Sequence, residues 1–399
     1  MEVHNSQMAP SQNQPTYEKR WTQFFLVLSL ITWCVVETFC WLGLRILSAD
    51  GFDQVFYYDY ESRLRNIPQQ SIDRFRKFSF DPLLGWDVTK GMTHTSENRA
   101  RQKWTENVEK TGERRNPFQS SRVLISTFGD SFTYGYEVND DETWPYFLSV
   151  LSGTKVLNYG SGGHGPDQTF LKLQRNIESG VKTPIVIFSI WTGSLNRLLT
   201  SYRPFYESRV PGNLEFKPML VNEGSGLRWR KSPLQKIRNQ QDALAALQEA
   251  KKYDLWYRLR TVKKSFPFSI NLMKLAFAVF QGRHTIYEKP CDNDEVKSRV
   301  SFLLSNLRSH SRKFGYTPVV LFIPMGSELR TRMNGGKCDC SSFIQEMQEF
   351  SQAKDMIFVD VCRKKFDERK FFIQQFEGHA SPYGNQMIAQ AVFEKVRLR

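Results

Sequence analysis

Gly129-Asp130-Ser131-Phe132-Thr133-Tyr134-Gly135 follows the apolar run Val123-Leu124-Ile125. A strand that ends in a tight Gly-Asp-Ser turn lifts a serine hydroxyl to the carboxyl edge of an α/β sheet, where such folds keep their sites. Gly, Asp and Ser also fill ordinary βα turns, so the heptapeptide gains weight from a second block. That block is Gly378-His379-Ala380-Ser381-Pro382-Tyr383-Gly384-Asn385, close to the other end of the chain and before a helical pattern. A serine early and a histidine late read as nucleophile and base.

Outward from this pair, an α/β rhythm runs from residue 121. Strands are expected at Val123–Phe128, Val156–Asn158 and Pro184–Trp191, and helices at Glu142–Leu151 and Pro166–Glu178. The rhythm pauses at about 198–290. There Pro233–Leu259 has helical spacing, and Phe266–Phe280 is an apolar segment too short to span a bilayer, for which internal packing is the commoner fate. It resumes with a helix over Asp294–Phe314, strand Pro318–Ile323, helix Ser341–Gln352, strand Ile357–Val361 and helix Pro382–Leu398. Alternation of this kind predicts a three-layer α/β/α sandwich with a parallel sheet.

The N-terminal region adds an anchor. Residues 1–21 are polar and read as a disordered cytoplasmic tail, and 22–47 as one transmembrane helix. A long preceding segment and the lack of a small-x-small site before Asp50 favour an uncleaved anchor over a signal peptide. Lys19 and Arg20 precede the span and Arg45 alone follows it closely, which places the main domain outside the cytoplasm. Glu37 inside the span is costly in lipid unless protonated, snorkelling or paired. Residues 48–120 read as a connecting and packing segment, and 121–399 as the main domain with a basic insertion at about 198–290.

Net charge is +14, and residues 197–289 hold 18 Lys+Arg against 7 Asp+Glu. Such an excess suits an anionic glycan or lipid, or is a solvated basic surface; no nucleic-acid motif accompanies it. Cys34 and Cys40 fall in the anchor, leaving Cys291, Cys338, Cys340 and Cys362 for one or two disulfides whose pairing spacing cannot assign. No Cys/His pair with zinc spacing matches Cys338-Asp339-Cys340, so no metal is expected.

Over roughly 120–200 and 290–399 these residues resemble the SGNH (GDSL-type) hydrolases. The family's blocks are a Gly-Asp-Ser turn, a glycine after the second strand, an Asn after the third, and a late His preceded by an acid. Gly129-Asp130-Ser131 matches the first, Asn158-Tyr159-Gly160-Ser161-Gly162-Gly163 the second, and His379 the fourth. Asp141-Glu142-Thr143-Trp144-Pro145 and Tyr202-Arg203-Pro204-Phe205-Tyr206 are similar to a bacterial membrane-anchored subgroup. The third block departs from Gly-Asn-Asp: Ser194 stands where Asn belongs, with Asn196 two residues later. The acid position departs too, offering Glu377 two residues before His379.

The resemblance implies an esterase or O-acyltransferase acting on ester-linked acyl groups without a cofactor. It implies Ser131 as nucleophile, His379 as base with Glu377 behind it, and an oxyanion hole from Gly163 with Asn196 or Ser194. His164 in the glycine loop is a candidate for lining the substrate pocket, and Asp130 for shaping the nucleophile turn. The alternative is a catalytically silent glycan- or envelope-binding module that keeps the fold, which the altered third block would allow.

Overall fold

The computed structural model describes residues 14–48, 55–98, 100–207, 214–224, 226–283 and 290–396. Residues 1–13 of the expected tail, with His4, and His284 lie outside these. The chain divides into two compact units, one of residues up to Tyr58 with 260–284, the other of Asp59–Leu259 with 285–399. The basic insertion is therefore divided, its first two thirds belonging with the α/β unit and residues 260–284 with the unit of the N-terminal helix.

The α/β unit is built on β1 (Val123–Phe128), β2 (Lys155–Asn158), β3 (Ile185–Trp191), β4 (Thr317–Ile323) and β5 (Ile357–Asp360). All pairings are parallel, in the order β5-β4-β3-β1-β2. These strands are continuous apolar runs because both faces are covered, as a parallel sheet requires. On one face Ile125, Ile187, Leu321 and Val359 pack with Trp144 and Leu148 of α2 (Trp144–Ser152) and with Ile388 and Val392 of the C-terminal helix, Pro382–Lys395. Alternate residues point the other way. Phe188 meets Phe170 of α3 (Pro166–Glu178), and Phe322 meets Phe343 of the helix Ser341–Gln352. This is the three-layer α/β/α sandwich that the alternation predicts.

The sheet runs outward in both directions from the β1–β3 pair, so the carboxyl end of β1 lies at a topological switch point, the usual place for a site in an open α/β sheet. α2 begins under a Thr143 cap with Pro145 in its first turn, and Gly153 closes it in the left-handed conformation. Two disulfides, Cys291–Cys340 and Cys338–Cys362, tie the start of Ser341–Gln352 to both flanking segments.

Three boundaries differ from the sequence reading. Residues 14–21 are helical and continue into the apolar run, so one helix, α1, covers Gln14–Leu47. Of its length, Tyr17–Leu47 is long and apolar enough to cross a membrane. The Pro233–Leu259 pattern is two helices, Gln240–Lys251 and Leu255–Leu259. Asp254 breaks it: the buried carboxylate accepts from Ser201 N (2.7 Å) and Thr200 Oγ1 (2.6 Å) and caps the second helix at Tyr257 N (3.1 Å). Finally, much of 59–120 is built into the α/β unit, including the hairpin Thr93–Glu97/Lys103–Asn107.

Candidate active site

Ser131 opens a single helical turn, Ser131–Tyr134, at the end of β1. Asp130 forms that turn by accepting from Phe132 N at 2.9 Å, and Gly135 ends it with φ of 82°. A side chain at Gly129 would collide with Thr133, so the strand-to-helix bend needs glycine there. The serine is thus pre-set by backbone geometry at the sheet edge.

His379 reaches this serine from a small antiparallel pair, β6 (Phe372–Gln374) and β7 (Glu377–Ala380). Its Nε2 lies 2.9 Å from Ser131 Oγ. Phe132 stacks on Trp191 with ring centroids 4.7 Å apart, and its ring and that of Tyr136 stand 5.2 and 5.1 Å from the imidazole. These walls fix the ring plane. Ser131 is buried, while the His379 side chain keeps 23% exposure, leaving the pair an opening to solvent.

The carboxylate behind His379 is Glu137. Its Oε2 sits 2.7 Å from Nδ1 and accepts the His379 backbone N–H at 3.1 Å. Glu377 is exposed on β7, and its carboxylate is not the one that meets the ring. Adjacent β-strand residues alternate sides, but Glu377 and His379 are two apart, and an intervening Gly378 at φ of 80° breaks the strand geometry that would align them. Glu137 itself has φ of 70°, a conformation few non-glycine residues adopt.

Arg114 holds that turn in place. Its buried guanidinium donates to the carbonyls of Tyr134, Gly135 and Val138 and to Asp140 Oδ1 (3.0 Å), bracketing Glu137 on both sides. Sequence reasoning missed both residues. Glu137 follows Ser131 by only six positions, and Arg114 falls in the stretch assigned to connection and packing.

The glycine loop supplies Gly163 at φ of 76°, with Arg203 packed so close that a Cβ would stand 2.6 Å from Nη1. The third-block residues lie in a 3-10 helix, Thr192–Leu199, and both are buried. Ser194 Oγ donates to Trp191 O at 2.7 Å, which turns its proton back into its own turn. Asn196 anchors the helix by accepting Trp256 Nε1 at its carbonyl, 3.0 Å away. His164 does not line an open pocket: it is fully buried, bonded through Nε2 to Trp86 O (2.9 Å), and burial pushes its pKa down to about 4.

Two further side chains lock the loops together. Arg197 is buried, donates to His164 O (3.0 Å) and pairs with Asp130 Oδ2 and Glu207, each at 3.4 Å, joining the Ser131 turn to the glycine loop. Burial raises the Asp130 pKa, with the Arg197 charge acting against that rise. Glu328 braces the third block, accepting from Thr192 Oγ1 and from Met325 N (2.8 Å). Its burial pushes the carboxyl up to about 7. A cleft of about 340 Å³ lined by Trp229, Arg230, Glu249 and Tyr253 shares no residue with this site.

No family model matches the chain, and no curated protein does. Among solved structures it is similar to a member of the lipolytic G-D-S-L family from Veillonella parvula, at 11% identity and a TM-score of 0.32 over 69% of this chain and 100% of that one. It is similar at 11% identity to a family 3 carbohydrate esterase of Clostridium thermocellum, with a TM-score of 0.30 over 69% of this chain and 95% of the other. A protein of the G-D-S-L family from Desulfitobacterium hafniense gives 11% identity and a TM-score of 0.33, covering 68% and 99%.

Proposed function

We propose that this chain is a membrane-anchored serine esterase or O-acyltransferase of the SGNH type, working through an acyl-enzyme on Ser131. The observation that carries the reading is the unbroken hydrogen-bonded chain Ser131 Oγ–His379 Nε2 (2.9 Å) and His379 Nδ1–Glu137 Oε2 (2.7 Å). A nucleophile, a base within reach and an orienting acid form the constellation that activates serine on unrelated folds.

In the reaction, Ser131 Oγ attacks the ester carbonyl carbon as its proton passes to His379 Nε2. Glu137 holds the other ring nitrogen protonated and stabilises the imidazolium. Backbone N–H groups of Ser131 and Gly163 face the developing oxyanion, with Asn196 as the third donor. Collapse of the tetrahedral intermediate breaks the ester C–O bond, and the departing alkoxide takes the proton from His379. A water or an acceptor hydroxyl then gives its proton to His379 and attacks the acyl-serine, regenerating Ser131.

α1 serves as the anchor, with Lys19 and Arg20 on the cytoplasmic side. The two disulfides support an extracytoplasmic α/β unit, because such bonds persist in oxidising compartments. An ester-bearing envelope glycan or lipid is the substrate class that this placement favours, and the basic insertion suits an anionic one.

The test is a fluorophosphonate probe applied to the full chain in detergent, beside Ser131→Ala and His379→Ala. Labelling of the native chain that vanishes in both variants is the expected result. A folded native chain that takes no label would overturn the enzyme reading and leave a binding module. Turnover of an aryl acetate with and without a sugar acceptor then separates hydrolase from transferase.

A further inference from the structure

The short apolar helix in the anchor's unit, α4 (Phe268–Phe280), does not pack away inside the molecule. Among the described residues α4 is the only helix of the insertion in this unit. Its first turn is fixed to α1 by Glu37, a buried carboxylate that accepts from Phe268 N, Ser269 N and Ser269 Oγ. A carboxylate in an apolar span demands partners, and here the free N–H groups of a helix start supply them. From that point Leu272, Leu275, Ala278 and Val279 pack with Leu44, Leu47, Phe56 and Val262.

The opposite face is left uncovered by the described residues of the unit. Ile270, Met273, Phe277 and Phe280 recur at helical spacing and are 46%, 64%, 58% and 88% exposed. Phe266, 54% exposed, sets its ring edge-on to Trp33 of α1 at 5.3 Å, joining this face to the exposed apolar surface of the span. Lys274 is the one charged residue of α4, and its flexible stem lets the ammonium rise to a headgroup. Lys263 and Lys264 precede the helix and lie over the rings of Tyr57 and Phe56, the mixture of cations and aromatics found where protein meets a membrane interface.

We infer that α4 is a second membrane-embedded element, seated in the leaflet from which α1 emerges, with Ile270, Met273, Phe277 and Phe280 in contact with phospholipid acyl chains. Its 13 residues are too few to cross a bilayer, so it enters and remains on one side. The inference rests on the anchor reading of α1. Lipid is the occupant because the face continues that of a helix long enough to span, whereas a protein partner would need its own apolar complement at the same depth.

The experiment uses the full chain with Cys34→Ala and Cys40→Ala, both disulfides intact, reconstituted in phosphatidylcholine–phosphatidylglycerol vesicles. A fluorophore is placed singly by Met273→Cys, Phe277→Cys, Leu30→Cys on α1, or Gln352→Cys on an exposed helix end. Nitroxide-labelled lipid should quench positions 273 and 277 about as strongly as 30, and several-fold more than 352. Quenching at 30 with 273 and 277 open to aqueous iodide would overturn the inference and leave the anchor standing. Shielding of 273 and 277 from both quenchers would overturn it in favour of a protein cover. Absence of lipid quenching at 30 would sink the anchor reading and this inference with it.

Discussion

A single oxygen of Glu137 holds His379 twice, at ring Nδ1 (2.7 Å) and at the backbone amide (3.1 Å). The carboxylate thus fixes both the tautomer of the imidazole and the strand end that carries it. Because the two residues are 242 positions apart, this one contact also joins the segment after the Ser131 turn to the chain's C-terminal region.

Replacing Glu137 by Gln keeps the size of the side chain and an oxygen able to accept both hydrogen bonds but removes the charge that would stabilise an imidazolium. The rate of fluorophosphonate labelling should fall by ~10²–10⁴ in Glu137→Gln with the thermal midpoint little changed. Glu377→Gln, altering an exposed carboxylate, should label like the native chain. Equal losses in the two variants would contradict the assignment of Glu137.

Arg114 is the reason that the Glu137 turn survives its left-handed backbone. Removing it by Arg114→Met takes the guanidinium from the carbonyls of Gly135 and Val138, leaves Tyr134 O with Asn158 Nδ2 alone (3.2 Å), and deprives Asp140 of its buried cationic partner, a change expected to cost about 3–5 kcal/mol. The double variant Arg114→Met/Asp140→Asn removes the lone charge and should recover part of that stability. It should not recover labelling, since the carbonyls that aimed Glu137 remain unheld. Thermal melts paired with labelling rates check both halves.

The parts of this arrangement that were legible in sequence are those encoded locally. β3 and β4 read as strands because sheet burial on two faces writes a continuous apolar run, and Ser131 was visible because its turn needs Gly129, Asp130 and Gly135 within seven residues. Glu137 was not, because a carboxylate's partner depends on a left-handed turn that no residue type announces. Arg114 was hidden among the charges of an irregular segment, its purpose set by carbonyls twenty positions on. Glu37 was readable as a problem within the span, while its answer, the start of α4, lay some 230 residues away.

Glu328 gives the fold a pH dependence that can be isolated. Its carboxyl is held at about 7 in the native state against an ordinary 4.5, because burial disfavours the charge. Between those values the unfolded chain releases a proton that the native chain keeps, so this group lowers stability as pH rises from 4.5 to about 7, by on the order of 3 kcal/mol, and adds no slope above that. Glu328→Gln keeps a neutral side chain at every pH and should flatten this part of the profile. Unfolding of the full chain in detergent, followed by tryptophan fluorescence from pH 4.5 to 7.5, measures the difference. Identical slopes for both proteins would show that Glu328 does not carry the proton.

Gly163 is the sharpest test of the proposed oxyanion hole, in which its amide would act and its side chain is absent. With φ of 76°, any L-residue is strained there, and a Cβ would also stand 2.6 Å from Nη1 and 2.9 Å from Cζ of Arg203. Arg203 has little room to retreat, held by Glu207 at 2.8 Å and Glu215 at 3.3 Å. Relief must therefore come from the loop itself, carrying the Gly163 N–H away from the carbonyl oxygen above Ser131. Gly163→Ala should lower the acylation rate by ~10²–10³, the loss typical of one oxyanion donor. Gly162→Ala is the matched control, because a Cβ there meets nothing within 4 Å and its backbone is not left-handed. If position 163 tolerates alanine as well as position 162 does, the amide of Gly163 is not part of the hole, and Ser131 N–H and Asn196 must serve without it.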